Sequence, residues 1–591
     1  MLDRACALLV ASVIWCVFAG FGGAPALAQD EKKAVILSIN DVYRIGGINE
    51  GRHGGMARVR ALRAKLEKTA PDLLFLHAGD FLSPSFLGRS YRGAQMIDLM
   101  NVMDGSAKQG SQDGRMFAAF GNHEFDDSHC GKDGPLPDLV AQSEFTWLAS
   151  NLDFSKCKRL SRLAGSKQIS PSRIVESGGM KIGLYGLTLA RSKYRDIVSD
   201  PETVSCQMVA DLRAQGVDAV VALTHLAFGD DLRLLGLTAS GKPLAAGEET
   251  CADKPDLVVG GHDHVSMALP TNAPRLFKAD ADAVTAWVIE LSPDGKGGVT
   301  VNARLEVLNE DAAEDPLAKR LSEGWILRHD ERFCATDCIS ESKDKVRQCL
   351  KQVQAGACLT QPIAKAASLI ETEEIANRSL ETGFGNWVAD TVREAGRADI
   401  AFINAGAIRL NYNIDKGTTV TRRHLEEMFP FKNKLVVREV PGRVVWAALE
   451  RAFKARGEGA WAHFSGLALK RTGQDGLAFE KVLVRRVSGE VVEIGPASED
   501  PIKIASLSFV LANGDRHGFK VCPGTEDIWA CKGELEKAPN WPATDKGDDL
   551  AEFVRIALRD ADEGSGVVFQ TDGRICEAKR SDCLVDRWIG K

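Results

Sequence analysis

Met116-Phe117-Ala118-Ala119-Phe120-Gly121-Asn122-His123-Glu124 joins an apolar run of β type to four residues of another kind. Glycine frees the chain to turn sharply, and an amide, an imidazole and a carboxylate follow at once. The same transition occurs four more times. Val35–Ile39 runs into Asn40-Asp41, and Leu73–Leu76 into His77-Ala78-Gly79-Asp80. Ala219–Leu223 runs into Thr224-His225, and Leu257–Val259 into Gly260-Gly261-His262-Asp263-His264. In sheets built from β-α-β units the carboxyl ends of strands lie along one edge, where ligand sites form, so these residues should meet there. Carboxylate, amide oxygen and imidazole together suit divalent or trivalent first-row metals. A lone Gly-Asp pair is common in turns and a lone Thr-His carries little; five such ends, each after a strand, point to a metal site.

Between these runs lie amphipathic stretches, such as Met56, Val59, Leu62 and Leu66 at helical spacing. The alternation is that of an α/β protein. A chain of 591 residues exceeds one hydrophobic core, so two folded domains are expected. Residues 29–310 read as the first domain, a polar and cysteine-rich stretch at 311–360 as a linker, and 361–591 as a second mixed α/β domain. The net charge is −7 with acids and bases interspersed, which offers no footing for a nucleic acid polymer.

Arg4 precedes an apolar run from Ala5 to Phe21, and Ala26-Leu27-Ala28 supplies the small residues of a cleavage site. Residues 1–28 therefore read as a signal peptide cut between Ala28 and Gln29, which implies export to the periplasm or beyond the cell. No later stretch is long and apolar enough for stable membrane insertion. Twelve of the fourteen cysteines lie beyond that cut, an even number that suggests disulfides. Proximity pairs Cys130 with Cys157, Cys206 with Cys251, Cys522 with Cys531 and Cys576 with Cys583. Cys334, Cys338, Cys349 and Cys358 form a local set with three possible pairings.

The strand-end residues resemble the calcineurin-like metallophosphoesterase superfamily, whose pattern runs Asp-x-His, Gly-Asp, Gly-Asn-His-Glu or -Asp, His, and Gly-His-x-His. The resemblance implies a β-sandwich flanked by helices and two metal ions roughly 3.5–4 Å apart. It makes Asp80 the bridge, Asp41 and His264 ligands of the first ion, and Asn122, His225 and His262 ligands of the second. Mn²⁺, Zn²⁺ and Fe all fit the donor types. His123 is then not a ligand but acts on the leaving oxygen, oriented by Asp126. Where the pattern has Asp-x-His, this chain has Asp41-Val42-Tyr43. Three roles stay open for Tyr43: ligand, hydrogen-bonding partner of a metal-bound water, or neither.

The second half resembles the substrate-binding domain of 5′-nucleotidases. The matching stretches include Arg378-Ser379-Leu380-Glu381, Asn404-Ala405-Gly406-Ala407-Ile408-Arg409 and Phe429-Pro430-Phe431-Lys432-Asn433. The resemblance implies that Arg378 and Arg409 hold a phosphate, a task that suits the planar, permanently charged guanidinium. Asn404 and Asn433 match contacts to ribose or base, and Phe431 and Phe509 match two plates that sandwich the base. Asp515 matches a ribose-binding Asp only with an insertion after it. Nucleoside 5′-monophosphates are the implied substrates, with nucleoside di- and triphosphates or UDP-sugars as extensions, and the oligomeric state stays open. Rival readings are a 2′,3′-cyclic nucleotide phosphodiesterase, a phosphatase of non-nucleotide esters, and a nucleotide-binding protein without catalysis.

Overall fold

The structure is a computed structural model. It describes residues 32–588, apart from 109, 246, 249–250, 340–355, 474–475, 513, 520–535, 538–548, 563 and 578–582. The predicted signal peptide, Cys349 and the Cys522–Cys531 pair lie outside the described residues, as does the side chain of Cys338.

Two sheets face one another in the N-terminal half. The first has seven strands, in spatial order Val299–Val307, Thr285–Pro293, Ala34–Ile39, Leu74–His77, Met116–Ala119, Thr146–Leu148 and Ile169–Ser170. From Ala34–Ile39 to Ile169–Ser170 its neighbours run parallel. The second has six: Met267–Leu269, Leu276–Lys278, Leu257–Gly260, Ala219–His225, Met180–Thr188 and Ser172–Ser177. Alternate side chains of the paired strands, among them Ile36, Leu74, Phe117, Leu184, Val221 and Val259, form one apolar layer between the sheets. The opposite faces pack under helices. Val59, Leu62 and Leu66 of Met56–Glu67 cover the first sheet, and Val209 and Leu212 of Pro201–Ala214 cover the second. The result is the helix-flanked sandwich that the resemblance implied.

The helix Pro316–Ile339 leads out of this sandwich. A second mixed α/β unit follows, around a five-stranded sheet in the order Ala462–Ser465, Ile400–Asn404, Pro501–Leu507, Leu435–Pro441 and Glu536–Lys537. Its apolar core is separate from those of the first unit. Among the described residues there are four disulfides: Cys130–Cys157, Cys206–Cys251, Cys576–Cys583 and, from the ambiguous set, Cys334–Cys358.

Candidate metal centre and anion site

The five strand ends converge, but from two sheets rather than one. Asp41, Asp80 and Asn122 follow strands of the first sheet; His225 and His262 belong to the second. His225 is also not beyond its strand. Thr224 and His225 continue the Ala219–His225 ladder, opposite Leu187 and Thr188. His77 likewise closes its own strand, opposite Ala118.

The approach is close enough to dictate glycines. A Cβ on Gly121 would lie 2.1 Å from Asp80 Oδ1, and one on Gly261 would lie 2.6 Å from the Ala78 carbonyl oxygen and 2.9 Å from Asp41 Oδ2. The candidate ligands themselves take left-handed backbone: φ is 52° at Asp41, 57° at Asp80, 82° at His262 and 63° at His264. Such conformations cost on the order of 1–3 kcal/mol each and persist where surrounding contacts over-determine them.

Those contacts are visible. Glu124, fully buried, accepts the backbone N–H groups of Asp80 (2.9 Å), Phe81 (2.8 Å), Leu82 (3.2 Å) and Gly121 (2.6 Å). It thus ties the Asp80 turn to the Asn122 turn. Burial, reinforced by Asp80, pushes its carboxyl up to about 7. Asn40 pins its own turn through two bonds with the Ala279 backbone. Behind His262, the buried ammonium of Lys278 donates to the carbonyls of Leu226 (2.7 Å) and Gly261 (2.8 Å) and meets Asp263 and Asp231.

Around the candidate ligand atoms, three donors gather on one side. One ligand atom from each of Asp80, His225 and His262 lies within 4.8 Å of the others. His225 donates its Nδ1 proton to the Ala78 carbonyl at 2.7 Å, which leaves Nε2 as the nitrogen that faces Asp80 Oδ2, at 3.1 Å. A carboxylate and an imidazole nitrogen in such contact share a cation, which a proton or a metal ion can supply. Asn122 Oδ1 is buried with no hydrogen-bond partner among the described residues. Burial and the guanidinium of Arg191 hold His262 well below the usual imidazole range, so its ring offers a lone pair. These residues fit a divalent ion.

On the other side Asp41 Oδ1 and His264 Nε2 stand 3.2 Å apart. The Tyr43 hydroxyl lies 3.2 Å from Asp41 Oδ1, 3.4 Å from Asp80 Oδ2 and 2.9 Å from His264 Nε2. Burial, with Asp41 and Asp80 adding to it, raises the phenol well above its ordinary value, so Tyr43 is a neutral hydrogen-bonding group here. Burial alone would lower His225 and His264. Asp80 and Asp41 facing the first, and Glu374 and Asp41 facing the second, instead push both up to about 9.

His123 stands beside this cluster. Its Nδ1 lies 2.7 Å from Asp126 Oδ2, and its backbone N–H donates to Asp80 Oδ1 at 2.7 Å. Asp126 also receives Lys193 at 3.1 Å and the Ser83 hydroxyl at 3.3 Å. Although burial opposes ionisation, Lys193 and His123 hold the Asp126 carboxyl well below the usual range. The imidazole is therefore anchored by a carboxylate that stays charged.

The second half brings its arginines to the same place. The Arg409 guanidinium lies over the Tyr43 ring, 5.2 Å from its centroid. Arg44 binds the Arg409 carbonyl and Asp282, so the two halves meet at this point. Arg378 and Arg409 are each 6% exposed, yet Arg378 Nε and Arg409 Nη2 have no hydrogen-bond partner among the described residues. Buried guanidinium N–H groups left open in this way suit an anion. Asn377 carries Arg378 to the correct place. Its amide donates to the Ala405 carbonyl at 3.0 Å and accepts from His463 at 2.9 Å.

The remaining predicted residues gather at one end of the five-stranded sheet. Asn404 ends its strand, and that strand runs parallel to Pro501–Leu507, which leads into Phe509. Leu435, opposite Leu507, starts the strand that follows Phe431 and Asn433. Asn404 Nδ2 donates to Asp515 Oδ2 at 2.8 Å. Phe431, Phe509 and Asn433 are partly exposed. Glu124, Lys193 and Lys278 are roles that sequence reasoning missed. Only Glu124, inside the quoted Gly-Asn-His-Glu stretch, had a local signal.

Comparison with known proteins agrees. Residues 34–266 match the calcineurin-like phosphoesterase family model, and residues 362–483 match the 5′-nucleotidase C-terminal domain. The 5′-nucleotidase of Vibrio vulnificus is 25% identical over 75% of this chain and 80% of its own length. The snake venom 5′-nucleotidase of Gloydius brevicauda is 24% identical over 76% of this chain and 74% of its own. Among solved structures, a 5′-nucleotidase precursor from Thermus thermophilus superposes with a TM-score of 0.67 at 23% identity, covering 93% of this chain and 100% of the other. A sulfate thiohydrolase from the same organism gives 0.63 at 15% identity, covering 93% and 98%. These two likenesses concern the fold. The chain belongs to the family that joins a calcineurin-like phosphoesterase domain to a 5′-nucleotidase C-terminal domain, and it is a metal-dependent phosphoric ester hydrolase.

Proposed function

We propose that this chain releases phosphate from nucleoside 5′-monophosphates outside the cytoplasm. The observation that carries the reading is the pair of buried guanidinium groups, Arg378 and Arg409, with open N–H groups beside the Asp41, Asp80 and His264 cluster. Asp80, Asn122, His225 and His262 would hold one ion; Asp41, Asp80 and His264 would hold another, with Tyr43 hydrogen-bonding to that side. Bound there, the ions would supply Lewis acidity to a phosphoryl oxygen and lower the pKa of water.

Arg378 and Arg409 neutralise the phosphate charge that the ions leave and fix its orientation. His123, its Nδ1 held by Asp126, presents Nε2 to the leaving oxygen and gives it a proton. Asn404, Asn433 and Asp515 line the end of the sheet where ribose hydroxyls and a base would lie, and Phe431 and Phe509 flank the base. Four disulfides support an oxidising compartment. No described helix is long and apolar enough to cross a membrane.

The test is phosphate release from AMP, a 2′,3′-cyclic nucleotide and a sugar phosphate, with Mn²⁺, Zn²⁺ or Mg²⁺ added. AMP should be the best substrate, and His123→Ala should lose about 10²–10⁴-fold in rate while binding metal as before. Preference for the cyclic nucleotide or the sugar phosphate would overturn the substrate assignment. Nucleotide binding without phosphate release would make this a binding protein.

A further inference from the structure

The candidate ligands His225 and His264, whose Nε2 atoms both face carboxylates, are oriented differently. His225 gives its Nδ1 proton to the carbonyl of Ala78, a neighbour within the same sandwich. His264 turns its Nδ1 outward, to a carboxylate from the other half of the molecule: both oxygens of Glu374 lie 2.8 Å from it. Glu374 opens the helix Glu374–Ser379, the helix that carries Arg378. Its Oε1 lies 2.5 Å from Arg378 Nη2 and 4.0 Å from Arg409 Nη1. The side chain is 11% exposed.

We propose that Glu374 is a positioning residue that couples the first metal position to the anion-binding arginines across the boundary between the halves. This inference rests on the reading of Asp41 and His264 as ligands of an ion. A carboxylate on the far nitrogen of a ligating imidazole fixes its tautomer and ring orientation and makes the near nitrogen a better donor; losing it costs about 10–100-fold in metal affinity. Here that carboxylate arrives only when the C-terminal half is docked. The same group also engages Arg378, so an anion entering between Arg378 and Arg409 competes for the guanidinium and leaves Glu374 to His264. Anion binding therefore strengthens the first ion, and by linkage the first ion strengthens anion binding by the same factor. The second position, whose imidazole is oriented from within the sandwich, has no such dependence.

The experiment is calorimetric titration of the full metal-free chain with Mn²⁺, with and without inorganic phosphate, for wild type, Glu374→Gln and Glu374→Ala. Wild type should bind two ions, the weaker one tightening when phosphate is present. Glu374→Ala should weaken that ion by about 10–100-fold, leave the stronger one unchanged and abolish the phosphate effect. Glu374→Gln keeps the shape and one acceptor oxygen, so it should fall between the two and serves as the probe should the alanine variant unfold. Two ions bound equally well by all three proteins would overturn the role of Glu374. Wild type binding no ion at the Asp41 and His264 side would instead sink the ligand assignment itself.

Discussion

The two sides of the proposed metal centre are built to different standards. The Asp80, His225 and His262 side draws every support from the sandwich: the Ala78 carbonyl, the Glu124 staple and the Lys278 network. The Asp41 and His264 side has a neutral phenol among its donors and borrows Glu374 from the other half. A position held by its own sheet stays formed whatever the other half does. One completed across an interface can respond to what binds there.

The largest effect should come from the self-contained side. His225→Ala removes a fully buried imidazole and leaves the Asp80 carboxylate without its counterpart. Phosphate release should fall by about 10³-fold or more, with loss of the tighter ion, read by titration with Mn²⁺. A variant that keeps the tighter ion would erase the proposed difference between the sides. A smaller, opposite effect is expected at Tyr43. Tyr43→His replaces a phenol that stays protonated with an imidazole, a better ligand for a first-row divalent ion. The weaker Mn²⁺ site should tighten by about tenfold while the stronger one stays as it was. An unchanged or weakened first site would show that Tyr43 already ligates.

The smallest effect concerns the platform on which the borrowed group stands. His463, buried and neutral, donates to Asn377 in the helix of Glu374 and Arg378. Burial lowers its pKa from 6.5 to about 4. The unfolded chain therefore takes up a proton below pH 6.5 that the folded chain refuses until about pH 4. Stability from this group is full above pH 6.5 and is lost as pH falls towards 4, by about 3 kcal/mol in all. Urea unfolding at pH 7.5 and 4.5 should show that loss in wild type and a smaller one in His463→Gln. Equal losses would remove the argument.

Much of this was legible in the sequence because metal chemistry restricts residue types. An ion needs oxygen and nitrogen donors where strands end, and glycines where turns crowd, so Asp80, Gly121, Asn122, Gly261 and His262 stand out. The supports did not. Glu374 lies 110 positions from His264, and its only local trace is the i,i+4 spacing to Arg378. Lys193 and Lys278 meet their partners through the fold alone. Thr224 and His225 read as lying beyond their strand because the apolar run stops at Leu223, yet the ladder and full burial make them strand. That the ends belong to two sheets also has no local signature, since either arrangement needs the same side chains.

The most direct test is anomalous diffraction from crystals soaked in Mn²⁺. The account predicts two peaks that share Asp80 as a ligand, one completed by Asn122, His225 and His262, the other by Asp41 and His264. A peak away from Asp80, or none at either set, would contradict it.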